Sequence, residues 1–207
     1  NHLAKISTRD EIGKLLNLTN QAITKLNPNQ PSQDIDKQDF RFIRLPLFLL
    51  VFSEASSLAF FPRFVSSLEN TTGWIPENLV TSLPISLFML CWAISLPFAG
   101  YWSDKVGRRH SLMTGGLITC IGLVATAFIQ SLEFLLIARA FTAVGYGIVF
   151  ISAQGYVSDT TNDSNRTKGM ATFLSSFFSG SLCGAAIGGI LAEKLGYSET
   201  FMLAGLL

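Results

Sequence analysis

Hydrophobic residues in this chain fall into long, nearly uninterrupted runs separated by short polar stretches. The runs cover about residues 45–61, 79–101, 111–129, 134–157 and 170–192, and a further one begins at 200. The runs Leu79 to Tyr101 and Ser111 to Ile129, on either side of a charged turn, contain no charged residue. Each is close to the ~20 residues an α-helix needs to cross the hydrocarbon core. The pattern predicts an all-α membrane protein: a bundle with five complete transmembrane helices and the start of a sixth over 200–207, which together form one domain, 45–207. Two other segments precede it. Residues 1–26 are polar, with Leu3, Ile6, Ile12, Leu15, Leu16, Ala22, Ile23 and Leu26 at helical spacing. Residues 27–44 form a linker rich in amides and holding two prolines. The chain begins at Asn1 without a methionine and stops inside an apolar run, which suggests an excerpt of a longer protein.

Composition sharpens this picture. Only 14% of residues are charged and 49% are hydrophobic, against the ~25% charged of an ordinary soluble domain. The net charge of +1 is not massed on one face, so nucleic acid is not an expected partner. Cys91, Cys120 and Cys183 lie far apart inside apolar runs and read as buried small hydrophobes. No metal-ligand spacing, phosphate loop or nucleophile with a base is present, and His2 and His110 are isolated. An enzyme is not expected, and neither a cofactor nor a metal is called for. Lys and Arg are distributed unequally between alternate loops: twelve lie in the N-terminal segment and the loops after the second and fourth runs, against Arg63 and Lys194 on the other side. The positive-inside rule then predicts a cytoplasmic N-terminus.

Between the second and third runs stands Gly100-Tyr-Trp-Ser103-Asp104-Lys105-Val-Gly107-Arg108-Arg109. A loop of roughly eight residues joining two spans forces an antiparallel hairpin with its charges at the water interface, and glycines at 100 and 107 would allow a tight turn. The string resembles the signature loop between helices 2 and 3 of major facilitator superfamily transporters. The resemblance implies an N-terminal six-helix half that rocks against a C-terminal half of the same transporter. It also implies that Asp104 latches the outward-facing state, with Arg108 as its ion-pair partner. Positive-inside charge alone would account for Lys105, Arg108 and Arg109, but not for Asp104 or the spaced glycines.

Two charged residues lie inside the runs. Glu54 is about 14 Å into the first span; a carboxylate there is costly unless it meets a wet cavity, pairs with a cation or takes up a proton. Arg139-Ala-Phe-Thr-Ala143-Val-Gly145-Tyr-Gly147 resembles the family's fourth-helix motif, with Ala143 in place of its first glycine. The resemblance links Arg139 to proton transfer. Glu54 is the acid available inside a span to pair with it, although reckoning from run edges puts the two one to two turns apart. Arg139 would otherwise snorkel outward toward Glu133. Tyr146 and Gln154 are candidates for a cavity wall or for bonds to neighbouring helices. Gly180, Gly184, Gly188 and Gly189 place small residues at four-residue steps, which permits close helix packing; they also resemble the fifth-helix motif of the superfamily's antiporters, with Ala185 where the family has proline. Asp159 and Arg166 bracket the next cytoplasmic loop and could join the charge cluster. Asn70-Thr-Thr is a glycosylation pattern on the outer side.

Asp10-Glu11-Ile12-Gly13 followed by an amphipathic stretch resembles the second helix of a HAMP signalling linker; an ordinary amphipathic cytoplasmic helix is the alternative. The expected function is therefore proton-coupled secondary transport of a small solute across the plasma (inner) membrane, as export or antiport. The competing expectation is a transporter-like membrane sensor working with a HAMP module.

Overall fold

A computed structural model of the chain describes residues 40–68 and 80–207. The HAMP-like segment, most of the linker and the Asn70 pattern lie outside the described residues. A 3-10 turn, Phe40–Ile43, leads into α1, Arg44–Ser67. There follow α2, Leu83–Val106; α3, Arg108–Ala127; α4, Leu132–Thr160; α5, Arg166–Leu195; and a short α6, Tyr197–Leu206. No strand occurs among the described residues, so the fold is all-α. The first five helices are each long and apolar enough to cross a membrane.

The helices outrun the apolar runs that predicted them. α4 has 29 residues and α5 has 30, roughly 44 Å of helix against a ~30 Å hydrocarbon core. Charge does not end a helix whose tip already stands in water, so Lys105, Arg108 and Arg109 are helical. This corrects the eight-residue loop: α2 and α3 are separated by Gly107 alone. Gly107 adopts φ +98°, a conformation that side-chain-bearing residues rarely take. Gly100 plays no part in the turn; it lies within α2, and a Cβ there would come no nearer than 3.9 Å to Ile151.

α1 lies along α5, α4 lies along both α2 and α3, and α6 rests on α3. Exchanging the first three helices for the second three maps the α1–α5 pairing onto α4–α2, the signature of a repeated three-helix unit. The corners repeat as well. Ser103-Asp104-Lys105-Val106-Gly107 is matched by Ala192-Glu193-Lys194-Leu195-Gly196, whose glycine has φ +100°. Gly107 N–H donates to Ser103 O at 3.0 Å and Gly196 N–H to Ala192 O at 3.1 Å.

Gly180, Gly184 and Gly188 carry the α1–α5 contact. A Cβ on any of them would run into α1 backbone at Phe48, Phe52 or Ser56 respectively. Gly189 does not share that role: it points into open space, because it stands about 100° round the helix from Gly188. Two apolar clusters fill the bundle. One gathers Phe60, Phe61, Phe64, Leu132, Leu135 and Phe201; the other gathers Leu47, Val51, Phe88, Tyr146 and Phe173. Along α1, Glu54 falls between the Val51 of one and the Phe60 of the other.

Candidate functional site

Glu54 and Arg139 meet. Arg139 Nη1 donates to Glu54 Oε1 at 2.8 Å, and the two side chains keep only 3% and 4% of their surface exposed, Arg139 and Glu54 respectively. Arg139 does not snorkel toward Glu133. Its Nη2 donates to Ser57 Oγ at 3.3 Å, while Ser57 Oγ donates to the backbone carbonyl of Glu54 at 2.7 Å. The guanidinium carbon also stands 4.0 Å from the centre of the Phe61 ring and 5.7 Å from that of Phe201. Spacing along α1 explains this: Ser57 and Phe61 follow Glu54 at three and seven residues, on one helix face. α4 brings Arg139 to them, and α6 brings Phe201.

The pair is not fully satisfied. Glu54 Oε2 and Arg139 Nε are buried without a hydrogen-bond partner among the described residues. Burying two charges costs several kcal/mol each unless they compensate one another, so Oε1 is committed to the pair. Oε2 remains the atom at which a proton can be held. The aromatic faces offset part of the cost of burying the cation, because a desolvated cation over a ring gains about 2 kcal/mol. Arg139 therefore keeps some support when Glu54 is neutral.

A second cluster forms at the Gly107 corner. Arg108 Nη2 lies 2.6 Å from Asp104 Oδ1, and its Nε lies 2.9 Å from Asp159 Oδ2 on α4. Arg108 Nη1 donates to Ser103 Oγ at 3.2 Å, and Ser152 Oγ donates to the same oxygen at 3.0 Å. Asp104 stands in the last turn of α2 and Arg108 begins α3, and the positive-φ turn at Gly107 brings the two side chains together. Of the other corner residues, Lys105 covers the Tyr101 ring at 4.5 Å and Arg109 is exposed. Arg166, at the start of α5, is not among the partners of Arg108.

Tyr146 is buried in an aromatic group, 5.3 Å from Trp92 and 6.0 Å from Phe88 between ring centres. Gln154 is half-buried and makes no hydrogen bond among the described residues. A groove of about 590 Å³ between α3 and α4, lined by Ile121, Phe128, Phe134, Ile137 and Phe141, is almost wholly apolar and includes neither Glu54 nor Arg139. The described residues gather no cluster of three His, Cys, Asp or Glu. The sequence signalled neither Phe201 as a wall of the pair nor Ser103 and Ser152 as links to the corner. An intramembrane serine is too common to stand out, and α6 reaches the pair only through tertiary packing.

Five apolar helices that hide charge inside and show Phe98, Phe128, Ile137 and Leu182 outside define an integral, multi-pass membrane protein. The sequence profile of the Major Facilitator Superfamily matches residues 47–207, and the chain belongs to that family. It is 29% identical over 174 residues to Multidrug resistance protein MdtG of Proteus mirabilis, covering 84% of this chain and 43% of that protein. It is 27% identical over 169 residues to Multi-drug resistance efflux pump PmrA of Streptococcus pneumoniae, covering 82% and 42%. It is 34% identical over 84 residues to the Arabinose-proton symporter of Escherichia coli, covering 41% and 18%. The chain thus spans about two fifths of the length of its multidrug relatives.

Proposed function

We propose that this chain is the amino-terminal half of a secondary transporter that moves a small solute by alternating access, coupled to protons. The observation that carries the reading is the buried Glu54–Arg139 pair with one carboxylate oxygen left free. Glu54 takes up a proton at Oε2 from one side of the membrane and yields it to the other. Arg139 loses its charged partner as it does so and stays held by Ser57 and the rings of Phe61 and Phe201, which already touch it. A charge change at the midplane alters which arrangement of helices is cheapest, and that is how a proton gradient can drive a conformational cycle.

The Gly107 corner serves as the latch, facing the cytoplasm together with the N-terminus in the plasma (inner) membrane. Twelve of the Lys and Arg residues lie on that side in this reading. Asp104 keeps most of its surface free, which leaves an acceptor for a second, C-terminal half. Relatives named for multidrug resistance favour export of the solute, and one named for proton symport favours protons as the coupling ion.

Proteoliposomes holding the full-length protein test this. With ethidium as the probe, an ethidium gradient applied without any proton gradient should move protons in the opposite direction, read by a trapped pH dye. Ethidium flux with no accompanying proton movement would remove proton coupling. The orientation is checked separately. A cysteine introduced as Lys105→Cys should resist a membrane-impermeant thiol reagent in intact cells, and its modification from outside would invert the topology.

A further inference from the structure

Arg108 occupies a slot, and the slot is made by a side chain that α4 lacks. A Cβ built on Gly155 would stand 2.5 Å from Arg108 Cζ, 2.6 Å from Nε and 2.8 Å from Nη1. The guanidinium therefore lies flat against the backbone of α4 at residue 155. The same face of α4 addresses it one turn to either side. Asp159 accepts from Nε at 2.9 Å, and Ser152, fully buried, donates to the Ser103 oxygen that also accepts from Nη1. Positions 152, 155 and 159 are spaced to share a helix face.

The carboxylates alone do not explain this placement. Asp104 and Asp159 are 62% and 57% exposed, while Arg108 is 24% exposed. An exposed ion pair loosely constrains a side chain as long as arginine; the room left at residue 155 lets the guanidinium reach both carboxylates at once. We infer that Gly155 is a positioning residue for the corner: by leaving room for the guanidinium plane, it seats Arg108 between Asp104 and Asp159 and ties the corner to α4. Its consequence for the cycle rests on the latch reading, because α4 also carries Arg139. The corner would then follow any shift of α4 set off at the midplane.

Thermal unfolding of the purified full-length protein in detergent tests this with four forms: wild type, Gly155→Ala, Arg108→Lys and the double variant. Alanine forms helix better than glycine, so a position that needed only to be helical would gain stability in either background. The slot predicts otherwise. Beside Arg108, the Tm of Gly155→Ala should fall short of the Gly116→Ala gain by about 2 °C or more, because the guanidinium must leave one of its partners. With Arg108→Lys the shortfall should vanish, since a slender ammonium stem reaches either carboxylate without lying flat on residue 155. Gly116→Ala, where a methyl meets nothing within 4 Å, sets the baseline for an unhindered glycine. An equal shortfall in both backgrounds, or no shortfall beside Arg108, overturns the inference. Unchanged ethidium flux in Asp104→Asn would instead sink the latch reading, and the Gly155 result would stand apart from it.

Discussion

The midplane pair and the Gly107 corner both join an arginine to a carboxylate at hydrogen-bond distance, yet they differ in what surrounds them. Glu54 and Arg139 are sealed between two apolar clusters, whereas Asp104 and Asp159 each keep more than half their surface in contact with solvent. Burial raises the stakes of every change at the first site, since an uncompensated charge there has nowhere to find water. At the second, water replaces whatever partner is lost, so its contacts can be made and broken at little cost. In the proposed reading, the deep pair senses a proton and the shallow cluster opens and closes.

The comparison breaks most easily at Arg139. Arg139→Leu leaves the Glu54 charge buried alone and should cost about 3–5 kcal/mol of stability, well above the ~0.6 kcal/mol of an average intramembrane hydrogen bond. Adding Glu54→Gln should recover more than half of that loss in the same unfolding assay in detergent. A single variant as stable as wild type would mean that the pair is wet. Next in size is Gly188→Ala, whose methyl overlaps the Ser56 backbone two residues beyond Glu54. Prising α1 from α5 should cost about 1–3 kcal/mol, while Gly189→Ala should cost nothing measurable. Equal effects at the two glycines would dissolve the α1–α5 contact that holds Glu54 in place. The smallest effect belongs to Asp159→Asn, at about 0.5 kcal/mol or less and diminishing with added salt. A loss as large as that of Arg139→Leu would erase the distinction between the sites.

The existence of the helices was legible because Leu79 to Tyr101 and Ser111 to Ile129 hold no charge, and little but a membrane span leaves such a signature. Their ends were not legible. Charged residues at a helix tip read as a loop, yet Asp104, Lys105 and Arg108 sit in helices that simply rise out of the lipid. A different simplification separated Glu54 from Arg139. Counting from run edges compares backbone depths alone, but an arginine side chain spans a helical turn on its own. Each charge could be singled out because ionisable groups inside spans are rare. The company they keep could not be foreseen, since Phe61 looks like any core aromatic until a cation is placed over it. Gly155 passed unnoticed for the opposite reason: its importance lies in an atom it does not have, and only the neighbouring guanidinium reveals it.

One measurement addresses the division of labour directly: flux of ethidium through the full-length protein in proteoliposomes, with and without an imposed proton gradient. Glu54→Gln should carry out gradient-free exchange at close to the wild-type rate and gain nothing from the gradient, whereas Asp104→Asn should slow both modes by the same factor. Gradient-driven accumulation by Glu54→Gln at the wild-type level would contradict the assignment of the coupling proton to the buried pair.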